Sequence, residues 1–571
     1  MLSIEQVITE RFPSFFENKP RLVTKSIVNF LRLLFHEKET NRFLVENQGL
    51  EGLDFIEKVL EYFDLDYTVS SNELENIPPV GRVVIIANHP LGALDALALI
   101  QMVSRVRRDV KVVANDMLAS LPPLKELILP VDNLGGGSRK SDIRRILDSL
   151  QSEEALVVFP AGEVSRLRPS GVRDGRWKQG FLQFARRTGS PILPVLVEAR
   201  NSALFYSVSM LYKPLSALLL VGEMFRQREN VIGFRIGELI PARHFDQKGV
   251  RPKAQAKLLR KHLYRLAGKK GGLFETEKSI AHPESRQELK RELRGGELLG
   301  ETSDGKQIIL ADWSPESSVM REIGRLRELS FRKVGEGTGS RRDLDGFDRY
   351  YRHLVLWDDE ALEIAGAYRL GESGRIMDEQ GRDAFYSSTL FSFNETFFPY
   401  LENSLELGRS FVQPRYWGSR ALDYLWQGLG AYLRHNSEIR YLFGPVSISA
   451  NYPRSAQDML IYFYRHYFSD TERCATARNP YRLSSQGLEE CRNIFIGDDY
   501  KRDLQELKSR LSINNLAIPT LYKQYSEICE EGGVRFIDFG VDSDFAGCTD
   551  GFLLVDLEKV KPGKRKRYIG N

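Results

Sequence analysis

Between Gly81 and Gly268 short apolar runs alternate with stretches of helical periodicity, and this alternation limits the fold more than any other feature of the chain. The runs are Val83–Ala87, Val112–Ala114, Ile128–Val131, Ala155–Phe159, Ile192–Val197 and Val231–Ile236, with helical stretches such as Ser141–Leu150 and Gln179–Thr188 between them. Such a pattern predicts an α/β layered domain with a central sheet, whose functional loops gather at one sheet edge.

The first run ends in the turn Asn88-His89-Pro90 and continues through Leu91-Gly92-Ala93-Leu94 to Asp95 and into a helix. A turn at the end of a buried strand is where α/β proteins place chemistry. Near neutral pH a free imidazole can take a proton from an attacking hydroxyl, while a nearby carboxylate orients the ring and stabilises the imidazolium. His89 and Asp95 therefore read as base and orienter without a nucleophilic serine or cysteine; the alternative is a histidine turn packed under a helix.

Downstream, Phe159-Pro-Ala-Gly-Glu-Val-Ser-Arg166 follows another apolar run, and Gly189-Ser-Pro-Ile-Leu-Pro-Val195 opens a further one. These three segments, in this order over roughly residues 80 to 245, resemble the glycerolipid acyltransferase family, which moves fatty acyl groups to a lipid hydroxyl. The family has four residues between His and Asp, where this chain has five (Pro90–Leu94), and Phe-Pro-Glu-Gly where this chain has Phe-Pro-Ala-Gly followed by Glu163. The second departure suggests an acceptor headgroup other than glycerol phosphate. Arg166, Arg168, Arg173, Arg176 and Lys178 share a segment with Gly162, Gly171 and Gly175, suited to gripping an anion. Glu163, Arg166 and Arg168 are the expected substrate-binding residues, and Asp132–Ser138 reads as a flexible turn near the acceptor.

A length of 571 residues predicts two domains and a connector. The expected division is a helical, membrane-facing segment over 1–75, an acyltransferase domain over 76–268, a linker over 269–300 and a second domain over 301–571. The composition, 42% hydrophobic and 28% charged, leaves no case for wholesale disorder. Cys474, Cys491, Cys529 and Cys548 lack Cys-x-x-Cys spacing, which fits a reducing compartment and gives no metal signature. No apolar signal-peptide core and no membrane span is expected. The net charge of +4 conceals local clusters: Arg21–His36 is basic and amphipathic, and Lys559–Arg567 is strongly basic, as suits an anionic membrane surface.

Past Ile308 the pattern changes. His353–Trp357 and Leu362–Leu370 read as a hairpin about the turn 358–361. Then come Leu405–Val412 as strand, Gln413–Arg420 as loop, Ala421–Asn436 as helix, Tyr441–Ile448 as strand and Ser455–Phe468 as helix. This succession resembles the Gcn5-related acyltransferase fold, whose loop amides at a helix N-terminus hold the donor's phosphate groups. The resemblance makes Gln413, Arg415, Gly418 and Arg420 the donor-binding residues. Arg327 to Phe331, Asp343-Leu-Asp-Gly-Phe-Asp348, Ala367-Tyr-Arg-Leu370 and Glu406-Leu-Gly-Arg-Ser410 resemble the autoinducer-synthase and ornithine N-acyltransferase branch. Glu406 could help deprotonate an amine or form a structural salt bridge. Arg369 and Arg409 read as anion-gripping residues or as strand-edge cations. Alternation along the strand puts Glu406 and Arg409 on opposite faces unless the strand bulges.

As a whole the chain resembles the bifunctional ornithine lipid synthases. The resemblance implies that the second domain N-acylates ornithine with a 3-hydroxyacyl chain from acyl carrier protein, and that the first then esterifies the new hydroxyl. It implies no cofactor beyond the acyl-carrier-protein donor, no nucleic acid, and a cytoplasmic location at the inner membrane. The rival readings are another amino acid such as glycine, a lysophospholipid acceptor with one active domain, and a non-catalytic protein binding acyl carrier protein or lipid.

Overall fold

The computed structural model describes residues 5, 21–34, 36–115, 121–131, 140–169, 171–211, 213–228, 230–246, 249–268 and 271–570. Two compact units divide between Ser279 and Ile280. The division lies inside the stretch read as a linker, whose second half is ordered structure: Arg286–Leu293 is a helix that buries Leu289 and Leu293 in the second unit.

Among the described residues the first unit has nine strands: β1 (Asp66–Thr68), β2 (Val83–Ala87), β3 (Val110–Asn115), β4 (Ile128–Val131), β5 (Ala155–Val158), β6 (Arg166–Arg168), β7 (Gly171–Arg173), β8 (Ile192–Glu198) and β9 (Val231–Ile236). β6 and β7 form a separate hairpin, and the rest make a seven-stranded sheet in the order β1-β9-β8-β2-β5-β3-β4. Its neighbours run parallel except for β8 and β9. The apolar runs are continuous because both faces are covered. Val83, Ile85 and Ala87 pack on one side with the helices Gly52–Tyr62 and Ala93–Ser104. Val84 and Ile86 pack on the other with Lys140–Gln151, Gly180–Thr188 and Pro252–Leu263.

The expectation of a separate helical segment over 1–75 is corrected here. Phe55, Ile56, Val59 and Leu60 belong to the sheet's own core, and β1 adds an edge strand paired with β9. In the helix Arg21–Leu34, Lys25 is exposed, Leu33 is 76% exposed and Val28 is buried. No helix among the described residues is long and apolar enough to cross a membrane. The turn expected over Asp132–Ser138 lies outside the described residues.

The second unit carries β10 (Glu297–Glu301), β11 (Gln307–Ala311), β12 (Arg352–Asp358), β13 (Glu363–Glu372), β14 (Phe391–Phe393), β15 (Ser404–Val412), β16 (Tyr441–Ile448), β17 (Ala475–Ala477), β18 (Val534–Asp542) and β19 (Cys548–Asp556). β14 pairs with β17, and the others form an eight-stranded sheet in the order β10-β11-β12-β13-β15-β16-β19-β18. The expected hairpin is β12–β13. β15 and β16 are parallel neighbours only over Ser404–Glu406 and Tyr441–Phe443.

β15 does bulge. Gly408 pairs with Arg369 and Phe411 with Ala367, so two residues of β15, Arg409 and Ser410, stand opposite one of β13. Arg409 takes a φ of +50°, in the left-handed region that ordinary side chains avoid. Leu405 and Leu407 therefore join one core, while Phe411, which simple alternation would place beside them, joins another.

The basic C-terminal stretch makes contacts within its own unit. Its residues from Pro562 form a short helix to Tyr568, where Arg567 donates to Asp423 at 2.7 Å and Arg565 to the Leu557 carbonyl at 2.5 Å. Part of its charge is thus spent on holding the helix to its own unit.

Candidate active sites

In the first unit Asn88 fixes the end of β2. Its Oδ1 accepts from the Val197 amide at 2.7 Å and its Nδ2 donates to the Val197 carbonyl at 2.9 Å, tying β2 to β8. The chain then turns at Gly92, whose φ of +97° favours glycine, and enters the helix Ala93–Ser104. Asp95, fully buried, lies in the first turn of that helix, and its Oδ2 accepts from the Leu91 amide at 2.8 Å.

His89 Nδ1 stands 2.9 Å from Asp95 Oδ1, an ion-pair contact without the alignment of a linear hydrogen bond. The imidazole is 20% exposed and its ring lies 4.1 Å from that of Phe159. With Nδ1 committed to Asp95, Nε2 is the nitrogen left for a substrate hydroxyl. Burial disfavours the imidazolium, but the Asp95 carboxylate, helped by Asp174, outweighs it and holds the pKa above the usual histidine value. This is the arrangement of a general base with its orienting acid.

Asp174, absent from the sequence reading, completes this site. Its Oδ1 accepts from the His89 amide at 3.2 Å and from Ser165 Oγ at 2.5 Å, and its Oδ2 accepts from Trp177 Nε1 at 2.8 Å. Glu163 and Arg168 are exposed, and Arg166 reaches Glu163 at 3.5 Å and also donates to Ser209. Arg168 thus remains at the surface beside the site, with Arg176 and Lys178 also exposed.

In the second unit the acidic motif turns inward. Arg327 and Arg369, both fully buried, meet at Asp348: Arg327 Nη1 donates to its Oδ1 at 2.8 Å and Arg369 Nη1 at 3.3 Å. Arg369 also donates to Asp345 at 2.7 Å, and Arg409 Nε lies 2.9 Å from Asp343 Oδ2. Burial would raise the Asp348 pKa, but the two guanidinium groups hold it far below the carboxylate range. Burial, with Arg327 close by, pushes His353 down to about 4, and the neutral ring lies between Arg327 and the Asp348 carbonyl.

Glu406 is buried and surrounded by donors. Ser387 donates through its amide (2.6 Å) and its hydroxyl (2.5 Å), the Tyr386 amide at 3.2 Å, and Tyr351 through its phenol. The carboxylate thereby ties β15 to the helix Tyr386–Leu390. Arg369 is fully buried, with Asp345 and Asp348 both on its Nη1, while its Nε and Nη2 have no hydrogen-bond partner among the described residues. The bulge brings Arg409 round to the same partner as Glu406, since Arg409 Nη1 donates to the Tyr386 phenol at 2.9 Å. Burial pushes Glu336, near Arg409, up to about 7.

In the expected donor loop, Gln413 turns inward and donates to the Ile364 carbonyl at 2.6 Å, Arg415 pairs with Glu363, and Arg420 reaches Asp423 at 3.5 Å. Gly418 has a φ of +76° and no atom within 4 Å of where a Cβ would stand, and the Arg415 and Arg420 side chains beside it are exposed.

Comparison with known proteins follows the same division. An acyltransferase family matches residues 6–270, and the acetyltransferase (GNAT) domain family matches residues 326–427. A glycine Nα-acyltransferase of Bacteroides thetaiotaomicron is 34% identical over 304 residues, 51% of this chain and 89% of that protein. The chain belongs to the acyltransferases. A lyso-glycine lipid O-acyltransferase of Phocaeicola vulgatus is 30% identical over 274 residues, 47% of this chain and 95% of that protein. An L-ornithine Nα-acyltransferase of Brucella abortus is 29% identical, over 43% of this chain and 83% of that protein. Each relative corresponds to about half of this acyltransferase, which joins an acyltransferase domain to a GNAT domain in one α/β chain.

Proposed function

We propose that this acyltransferase makes a two-chain amino-acid lipid in two steps. The GNAT-like unit attaches a 3-hydroxyacyl group to the α-amine of ornithine, and the N-terminal unit esterifies the hydroxyl so introduced. The observation that carries the reading is the His89–Asp95 pair, with one imidazole nitrogen committed and the other available. In the second step His89 takes the proton of the hydroxyl as its oxygen attacks the thioester carbonyl. The C–O bond forms, the C–S bond breaks, and the proton leaves with the thiol. An acyl carrier protein is the proposed donor, and Arg168, Arg176 and Lys178 are exposed cations that suit an acidic partner.

Ornithine is favoured by the buried carboxyl groups of Asp542 and Asp550, which suit a second ammonium; burial and the neighbouring Asp542 push the Asp550 pKa well above the usual carboxylate range, a cost that a bound cation would relieve. Glycine is the second reading, favoured by the 34% identity to a glycine Nα-acyltransferase. Mass spectrometry of lipids from a host expressing the full chain tests both. Doubly acylated ornithine supports the first reading and doubly acylated glycine the second, while absence of any amino-acid lipid would sink the two-step scheme.

The donor loop gives a separate test. At a φ of +76° a β-branched residue is strained, so Gly418→Val is expected to distort the approach to the helix Ala421–His435 and abolish N-acylation. Unchanged acyl transfer to free amino acid would make the loop an ordinary connection. For the proposed inner-membrane contact, the exposed Lys25 is the informative position in its helix, because Arg32 is already paired with Glu5 and Glu37. Lys25→Glu should weaken binding to anionic liposomes by about 1 to 2 kcal/mol at low salt, less as salt rises; identical binding by both proteins would remove this helix from the contact.

A further inference from the structure

We propose that Asp174 is a positioning residue for His89: together with Ser165 it clamps the backbone of the histidine and sets a second carboxylate against the imidazole. The inference rests on the reading of His89 as the base of ester formation.

The clamp is a closed ring of hydrogen bonds. The His89 amide donates to Asp174 Oδ1 at 3.2 Å, Ser165 Oγ donates to the same oxygen at 2.5 Å, and the Ser165 amide returns to the His89 carbonyl at 2.7 Å. Both polar groups of the His89 peptide are thereby fixed from the segments on either side of the β6–β7 hairpin. The turn is held from a third direction by Asn201, whose Nδ2 donates to the Pro90 carbonyl at 2.9 Å.

Asp174 is itself held rigidly. It is 1% exposed, its Oδ2 accepts from Trp177 at 2.8 Å, and its own amide donates to the Tyr264 phenol at 2.8 Å. Arg260 reaches the carbonyls of Asp174 and Gly175, and Arg173 stacks on the Tyr264 ring at 4.5 Å. Burial raises the pKa of this carboxyl, while the hydrogen bonds from Ser165, Trp177 and the His89 amide favour its charged form, whose field reaches further in surroundings of low dielectric. The charged groups set against the imidazole are two, Asp95 from the helix Ala93–Ser104 and Asp174 from the loop after β7, and both favour the protonated ring. Asp95 touches the ring, whereas Asp174 acts through the backbone and through its field. A group placed this way governs where the imidazole stands and the pH at which it works.

The test uses the full chain and follows ester formation on a singly acylated amino acid as a function of pH. Asp174→Asn removes the charge while its Oδ1 can still accept from His89 and Ser165. Combined with Trp177→Phe, it avoids setting two donors face to face. The base must be neutral to act, so loss of the charge should move the acid limb of the rate profile to lower pH relative to Trp177→Phe alone. Ser165→Ala keeps the charge and loosens the clamp, and should lower the rate on the order of 10- to 100-fold with the limb unmoved. A merely structural Asp174 would reduce the folded fraction and leave the limb in place. An unmoved limb in the double variant, or, should that variant fail to fold, an unchanged rate in Ser165→Ala, overturns the proposal. In both cases His89→Ala, assayed beside them, must be inactive; full activity there would instead overturn the base assignment itself.

Discussion

Cells producing the His89→Ala variant are expected to accumulate a singly acylated amino acid and almost none of the two-chain lipid. Removing a positioned base costs typically 10² to 10⁴ in rate, and the loss should be confined to ester formation, because His89 and Asp95 lie in the first unit, whereas the GNAT family match lies in the second. Asp95→Asn should give the same block more weakly. It leaves the imidazole in place but removes the carboxylate that orients it and favours its charge, so the remaining activity should extend to lower pH. Lipid extracts separated by mass spectrometry report both variants, and wild-type amounts of the two-chain product from His89→Ala would end the assignment.

The second large effect concerns stability. Arg327→Met should destabilise the second unit by about 3 to 5 kcal/mol, since it removes one of the two guanidinium groups from the buried Asp348 and leaves Arg369 and the Asp345 amide to hold it. Asp348 has its folded pKa far below the unfolded value of ~3.9. Its contribution is therefore complete above that unfolded value and is lost only as pH falls on toward the folded one. Loss of Arg327 raises the folded pKa and narrows that window, so in urea titrations the variant, already weaker at neutral pH, should lose less further stability than the parent as pH falls below ~3.9. A shift below about 1 kcal/mol at neutral pH would show that these remaining partners satisfy the aspartate.

What could be read from the chain, and what could not, follows from the range of the forces involved. β2, β5 and β8 announced themselves because a strand covered on both faces needs an unbroken apolar run. β1 did not: only Tyr67 of its three residues is buried, and its partner β9 lies far along the chain, Asp66 pairing with Val231. His89 and Asp95 were legible because their contact spans one turn of chain. Asp174 carried no local signal, lying 85 residues from the amide it holds. The surroundings of Glu406 were hidden for a related reason, since the donors that occupy it come from Tyr351 and from the Tyr386–Leu390 helix, outside β15. The expected mismatch of faces between Glu406 and Arg409 was sound for a regular strand; the register that sets the bulge belongs to β13 as much as to β15.

That bulge also has a consequence for how the region can vary. Residues before and after Arg409 follow opposite phases, so a deletion of Ser410 would restore regular alternation and turn Arg409 away from Tyr386 while leaving Phe411 in its own core. It would do so while leaving every remaining side chain chemically intact. At position 409 itself a left-handed backbone excludes valine, isoleucine and threonine irrespective of charge. Homologous chains are expected to conserve the length of this strand more strictly than the identity of its apolar residues.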